Sequence, residues 1–232
     1  VKHVNDHLDL LAFEMVEHTA QKGGSYIASN ATEYWRYLKA SMLGGAIIAL
    51  FALNKILVDS LDVSPLGQGL LFSLNYAVCF VLIYLLGGII ATKQPAMTAS
   101  TVVRSMDKND DGMIDDLKGL KDLIIKVSRS QFISFVGNLL MAIPVAYLLT
   151  LSFDKLLGIS LISSDKSKIL MEEIHPFESG AIYYAAIAGV FLSLSGLISG
   201  YFSNKLVFSR IPERIENHPS LRRWLSPGKT RG

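Results

Sequence analysis

The sequence predicts an all-α fold, a polytopic membrane helix bundle with four transmembrane helices plus interfacial amphipathic helices. Three observations predict it. Half of the 232 residues are apolar and only 18% are charged, with a mean hydropathy of +0.37, an oily balance for a chain of this length. Four long runs lack charge almost entirely, as hydrocarbon demands of a spanning helix of about 20 residues. Lys and Arg, finally, are divided unevenly among the segments between those runs.

The N-terminal region, 1–32, holds "VNDHLDLLAFEMVEH", which places Val4, Leu8, Leu11 and Met15 along one stripe of a helix. Such a helix leans on a membrane surface or on another part of the protein. His3 with His7, and Glu14 with His18, stand one helical turn apart and read as a solvated polar face. The chain has no basic, apolar and small-residue leader ahead of the first span and reads as part of a longer protein.

The membrane domain is expected over 33–208, with spans at about 38–58, 66–91, 130–153 and 179–204. From Ala40 to Val58 the first span carries one charge, Lys55, close enough to its end to snorkel; the other three carry none. Tyr34, Trp35 and Tyr37 precede the first span, and Tyr183, Tyr184 and Tyr201 sit near the ends of the fourth, where aromatic belts form. Ser41, Gly45 and Ala49 recur every four residues on the first span, as do Gly196 and Gly200 on the fourth. Rows of small residues let helices approach closely inside a bundle. Pro144 interrupts the hydrogen-bond ladder of the third span.

Eighteen Lys and Arg residues fall on the N-terminal segment, the 92–129 loop and the tail, against four on the other two connections. Both termini and the middle loop are therefore expected on the cytoplasmic side of the membrane. The basic tail, 209–232, suits anionic lipid headgroups better than nucleic acid. Membrane lipids, an upstream region of the same chain and a possible homo-oligomer are the expected partners.

The loop "DKNDDGMIDDLK" resembles a calcium loop, with Asp107, Asn109, Asp111 and Asp115 at ligand positions and Gly112 at the turn. Lys118 stands where a bidentate glutamate belongs, so an acidic turn leading into a helix explains the residues better. The next stretch, "IDDLKGLKDLIIKVSRSQF", has helical periodicity and runs into the third span. No metal or other cofactor is expected. The single cysteine, Cys79, excludes a disulfide framework. Phosphate-binding glycine loops, HExxH and a serine triad are absent from the sequence. His175, before Pro176, reads as a turn residue.

The blocks "EYWRYLKASMLGGAIIALFALNK", "NYAVCFVLIYLLGGIIATKQPAMTAS", "VSRSQFISFVGN" and "GVFLSLSGLISGYFSN" resemble the bacterial membrane-protein family labelled "site-specific recombinase", in the family's order. The resemblance implies the C-terminal membrane portion of a longer protein. Strand transfer needs an attacking Tyr or Ser beside a cluster of cationic groups. This segment shows no such cluster, so recombination chemistry would belong to a missing N-terminal region or use an unfamiliar site. Two further readings remain: a membrane-anchoring and assembly module, or a transporter or binding protein for lipid or small molecules. The candidate polar site gathers Lys93, Gln94, Pro95, Arg129, Gln131 and Asn138, with Asn75 nearer the opposite side. Replacing Lys93 or Arg129 by Ala is expected to impair function without affecting insertion, whereas loss of insertion in a topology assay would mark the two as topology determinants alone.

Overall fold

The computed structural model describes residues 24, 26–94, 98, 101–102, 117–158 and 162–216. The expected helix at 4–18, the calcium-like loop and most of the basic tail lie outside the described residues. Four described helices are long and apolar enough to cross a membrane.

Helix α1, Ala31–Asp59, starts where Asn30 accepts a hydrogen bond from the Glu33 N–H, while the Glu33 carboxylate accepts from the Ser29 N–H. This reciprocal arrangement satisfies backbone donors that the first turn leaves free. Helix α2, Pro65–Leu85, has Ser64 as its cap and a proline in the first turn, where the missing N–H costs nothing. Its far end is a glycine stop: Gly87 adopts φ +74°, and the Gly88 and Gly87 N–H groups donate to the Ile83 and Tyr84 carbonyls. That is the Schellman pattern, which needs a residue free of Cβ strain at the left-handed position. The charge-free run continues to Ala91, but the helix ends at Leu85. The remaining residues pass through a non-helical stretch into a 3-10 turn at Ala91–Lys93.

Helix α3, Leu117–Leu157, is continuous for 41 residues and passes through Pro144. At about 1.5 Å per residue it is roughly 60 Å long, twice a hydrocarbon core. The interfacial stretch and the third span are thus one rod, part of which must stand outside the bilayer. Helix α4, Ser164–Glu173, is short and polar and is capped by Ser163. Helix α5, Ala181–Phe208, is the fourth span. Arg210, at φ +48°, then breaks the chain before the short α6, Ile211–Glu216.

The packing is centred on α1, with α3 as its main partner and α2 as its second. Ser41, Gly45 and Ala49 are all buried, and they form the row of small residues expected to face a neighbour. A Cβ on Gly45 would run into the Asn138 backbone, and one on Gly44 into the Ile89 carbonyl. A Cβ on Gly137 would stand 2.7 Å from that of Ser41. Side chains are thereby excluded from both sides of the crossing, and the two backbones touch. Ile47, Cys79, Ile83 and Ile90 form the apolar cluster beside it, with Ile48 and Phe51 against them.

Outside this core the apolar side chains face outward. Leu66 is 77% exposed, Leu85 74% and Ile143 65%. Surfaces of this kind require hydrocarbon around them. Helix α5 has its main contact with α6 among the described residues, so lipid or another protein surface must cover its sides.

Two glycine substitutions should have opposite effects. Gly45→Ala should lower stability by about 2 kcal/mol through forced separation of α1 and α3. Gly69 meets nothing within 4 Å of a built Cβ, so Gly69→Ala should be neutral or gain up to about 1 kcal/mol. Thermal or denaturant unfolding in detergent reads both.

Candidate functional site

The functional candidates sit in three places along the α1–α3 core. The first is Asn138, which is buried. Its Nδ2 donates to the Ser41 carbonyl at 2.7 Å and to the Ile89 carbonyl at 2.9 Å, and its Oδ1 accepts from the Ala91 N–H at 2.9 Å. The Ile89 N–H in turn donates to the Ala40 carbonyl at 3.0 Å. Unwinding α2 at Leu85 leaves backbone groups without helical partners inside an apolar region, where each unpaired group costs free energy. One carboxamide and one helix carbonyl supply the partners.

The second place lies at the Ala31 end of α1. The Ala28 N–H donates to Ser130 Oγ at 2.9 Å, and Gln94 Nε2 donates to the Tyr26 carbonyl at 3.0 Å. Ala28, Gln94 and Ser130 are completely buried. Burial holds the Tyr26 phenol above its usual range, and Tyr84 adds to the effect. Arg129 is exposed and lies over the Tyr34 ring, 5.0 Å from its centroid. Gln131 lines a shallow cavity of about 390 Å³ with Thr92 and Ser128. The buried Gln94 Oε1 and the hydroxyls of Ser41 and Ser134 have no hydrogen-bond partner among the described residues.

Gln94, Arg129 and Gln131 thus lie near the Ala31 end of α1 and the turn that follows α2, whereas Asn138 bonds to Ile89 and Ala91 from the middle of α3. Lys93 contributes its backbone to that turn, its side chain lies outside the described residues, and so does Pro95. Asn75 is held elsewhere. It accepts from Asn54 Nδ2 at 2.7 Å and donates to the Phe51 carbonyl at 3.0 Å, which ties α2 to the far half of α1. The calcium-like residues Asp107, Asn109, Asp111 and Asp115 lie outside the described residues. No cluster of three or more His, Cys, Asp or Glu side chains occurs among the described ones. His175 accepts from the Glu178 N–H through Nδ1 at 3.0 Å and so shapes the turn before α5.

The third place is a cavity of about 670 Å³ between α1, α2, α3 and α4. Phe51, Phe72, Cys79, Phe80, Phe135 and Leu139 are among its walls, while Lys55, Asp59, Lys166 and Glu173 surround its mouth. Lys166 forms an ion pair with Asp59, and Gln68 donates to the same carboxylate at 2.9 Å. The hydrogen bond that Lys166 Nζ donates to the Asp59 carboxylate is the main reason why Lys166 is held above the ordinary lysine value of 10.5, against some opposing desolvation. Because the folded-state value is raised, the lysine's contribution is full below its ordinary value of 10.5 and is lost as pH rises through the raised one. The pair therefore persists at neutral pH and pins α4 to α1.

The Asn54–Asn75 bond and the Asp59–Lys166 pair escape a reading of sequence alone. Lys166 is 107 positions from its partner, and only the polarity of Asn54 inside a span signals the former. Asn138→Ala should destabilise the domain by about 3 kcal/mol or more, since three backbone groups lose their partner. Asn75→Ala, which frees one carbonyl and one amide that can turn outward, should cost about 1 kcal/mol. Denaturant unfolding of both variants in the same detergent checks the order.

No curated protein and no solved structure matches the chain. A family model described as "Site-specific recombinase" matches residues 1–231, nearly the whole chain. On that match, this chain, with four described helices long and apolar enough to cross a membrane, belongs to the site-specific recombinase family.

Proposed function

We propose that the domain is a membrane-anchoring and assembly module that holds the residues preceding α1 in a fixed orientation at the cytoplasmic face of a bacterial inner membrane. The observation that carries this reading is the attachment of Tyr26–Ser29 to the core. An ordinary linker leaves its backbone to water and its neighbour free to turn. Here the Ala28 N–H is bonded to Ser130 and the Tyr26 carbonyl to Gln94, both contributed by other parts of the bundle. The Ser29 N–H is bonded to the α1 cap. Three of the four backbone positions from Tyr26 to Ser29 are bonded in this way, and two of them couple whatever precedes them to α3 and to the turn after α2.

The distribution of Lys and Arg supports the cytoplasmic assignment of this end. The basic tail suits anionic headgroups on the same side. Helix α5, with its long outward-facing apolar surface, offers a face for self-association or for lipid. An upstream region of a longer chain would be the cargo that the attachment orients. Nucleic acid has no role in this segment on this reading.

The Gln94→Ala/Ser130→Ala double variant should still insert but should release the segment. Proteinase K added to inside-out vesicles should then cut between Gly24 and Asn30 at least tenfold faster than in the unmodified protein. Equal rates would reject the attachment as a positioning device. Cutting only in right-side-out vesicles would reject the orientation.

A further inference from the structure

The cavity between α1, α2, α3 and α4 has a shape and charge pattern that the anchoring role does not use. On α1 its walls run from Ile48 to Asp59, eleven steps of about 1.5 Å, or roughly 16 Å along the axis. That is about half of a hydrocarbon core of roughly 30 Å, the depth of one leaflet. The shaft is apolar and aromatic. All four ionisable mouth residues, Lys55, Asp59, Lys166 and Glu173, lie at one end. The other end closes on Asn138, whose Nδ2 and Oδ1 are already bonded to backbone, and on Thr92. Its volume of about 670 Å³ falls within the range of roughly 300–1,000 Å³ typical of small-molecule sites.

The mouth also selects a headgroup. Lys166 is taken up by Asp59. Lys55 has no ion-pair partner among the described residues, and Glu173, though it closes no ion pair there, lies near enough to Lys166 to feel its charge. Lys55 instead lies over the Phe72 ring at 5.2 Å and is only partly exposed. A half-buried ammonium at the top of an apolar shaft favours an anionic group beside it. The Glu173 carboxylate at the same mouth disfavours a second negative charge and favours an ammonium. The four side chains sum to zero charge.

We propose that this cavity binds one acyl chain of a zwitterionic glycerophospholipid from the leaflet on the Asp59 side, with its phosphate at Lys55 and its primary ammonium at Glu173. Helix α4, tied to α1 through Lys166 and Asp59, forms the rim over the headgroup. The site rests on the cavity alone and stands whether or not the domain anchors an upstream region.

Native mass spectrometry of the full chain in detergent, titrated with palmitoyl-oleoyl phosphatidylethanolamine or with the matching phosphatidylglycerol, tests the assignment. One phosphatidylethanolamine per chain is expected, bound about tenfold more tightly than phosphatidylglycerol. Lys55→Gln and Glu173→Gln should each weaken it about tenfold, as loss of a charge-assisted contact does. Ala142→Phe, which fills the shaft, should abolish it. Lys55→Gln and Glu173→Gln alter the mouth rather than the packed core, so unchanged melting in these two variants keeps the test valid even if Ala142→Phe misfolds. Several lipids per chain without headgroup preference, insensitive to all three variants, would mean annular lipid only and overturn the proposal. So would preference for phosphatidylglycerol unaffected by Glu173→Gln, or no retained lipid.

Discussion

The structure depends on one close contact, the crossing of α1 and α3 at Gly45 and Asn138. Glycines on both sides bring the helix backbones together, and this proximity lets a single carboxamide on α3 reach a carbonyl of α1 and the chain beyond α2 at once. In water the frayed end of α2 would be solvated at little cost. Within a membrane its free N–H and C=O groups must find protein partners. The small residues and the asparagine are therefore two halves of one solution. The first creates the proximity, and the second uses it to satisfy the backbone.

From this contact the two ends of the bundle diverge in character. At the Ala31 end, the segment before α1, the turn after α2 and the start of the spanning part of α3 are joined by hydrogen bonds through buried serine and glutamine side chains. Toward the Asp59 end a cavity opens between the helices. The gap is bridged by polar pairs, Asn54 with Asn75 and Asp59 with Lys166, and it encloses the large cavity.

Helix α5 follows a different logic. It matches the other spans in hydropathy but is left largely outside their packing among the described residues. Helices in lipid associate through close packing and polar contacts, because hydrocarbon is as apolar as their own side chains. Gly196 and Gly200 provide a small-residue row on α5, but no polar hub like Asn138 is matched to it. The row of α1 gained a partner because Gly137 and Asn138 sit opposite it.

By itself the sequence determined the class, the four spans, the packing face marked by Ser41, Gly45 and Ala49, and Asn138 as a polar residue of consequence. Each of these follows from a rule that acts residue by residue: hydrocarbon excludes charge, close helices need small side chains, and a buried amide needs partners. Where α2 stops was also written locally, in Gly87 and Gly88, but hydropathy alone carries the span on to Ala91, since an apolar residue fits a membrane whether or not it is helical. Only the tertiary structure separated Asn75 from the other polar candidates, joined Asp59 to Lys166, fixed Tyr26–Ser29 to the core and opened the cavity. Those features are distances between segments far apart in the chain, set by how three helix axes cross, and a crossing angle is not a property of any single stretch of residues.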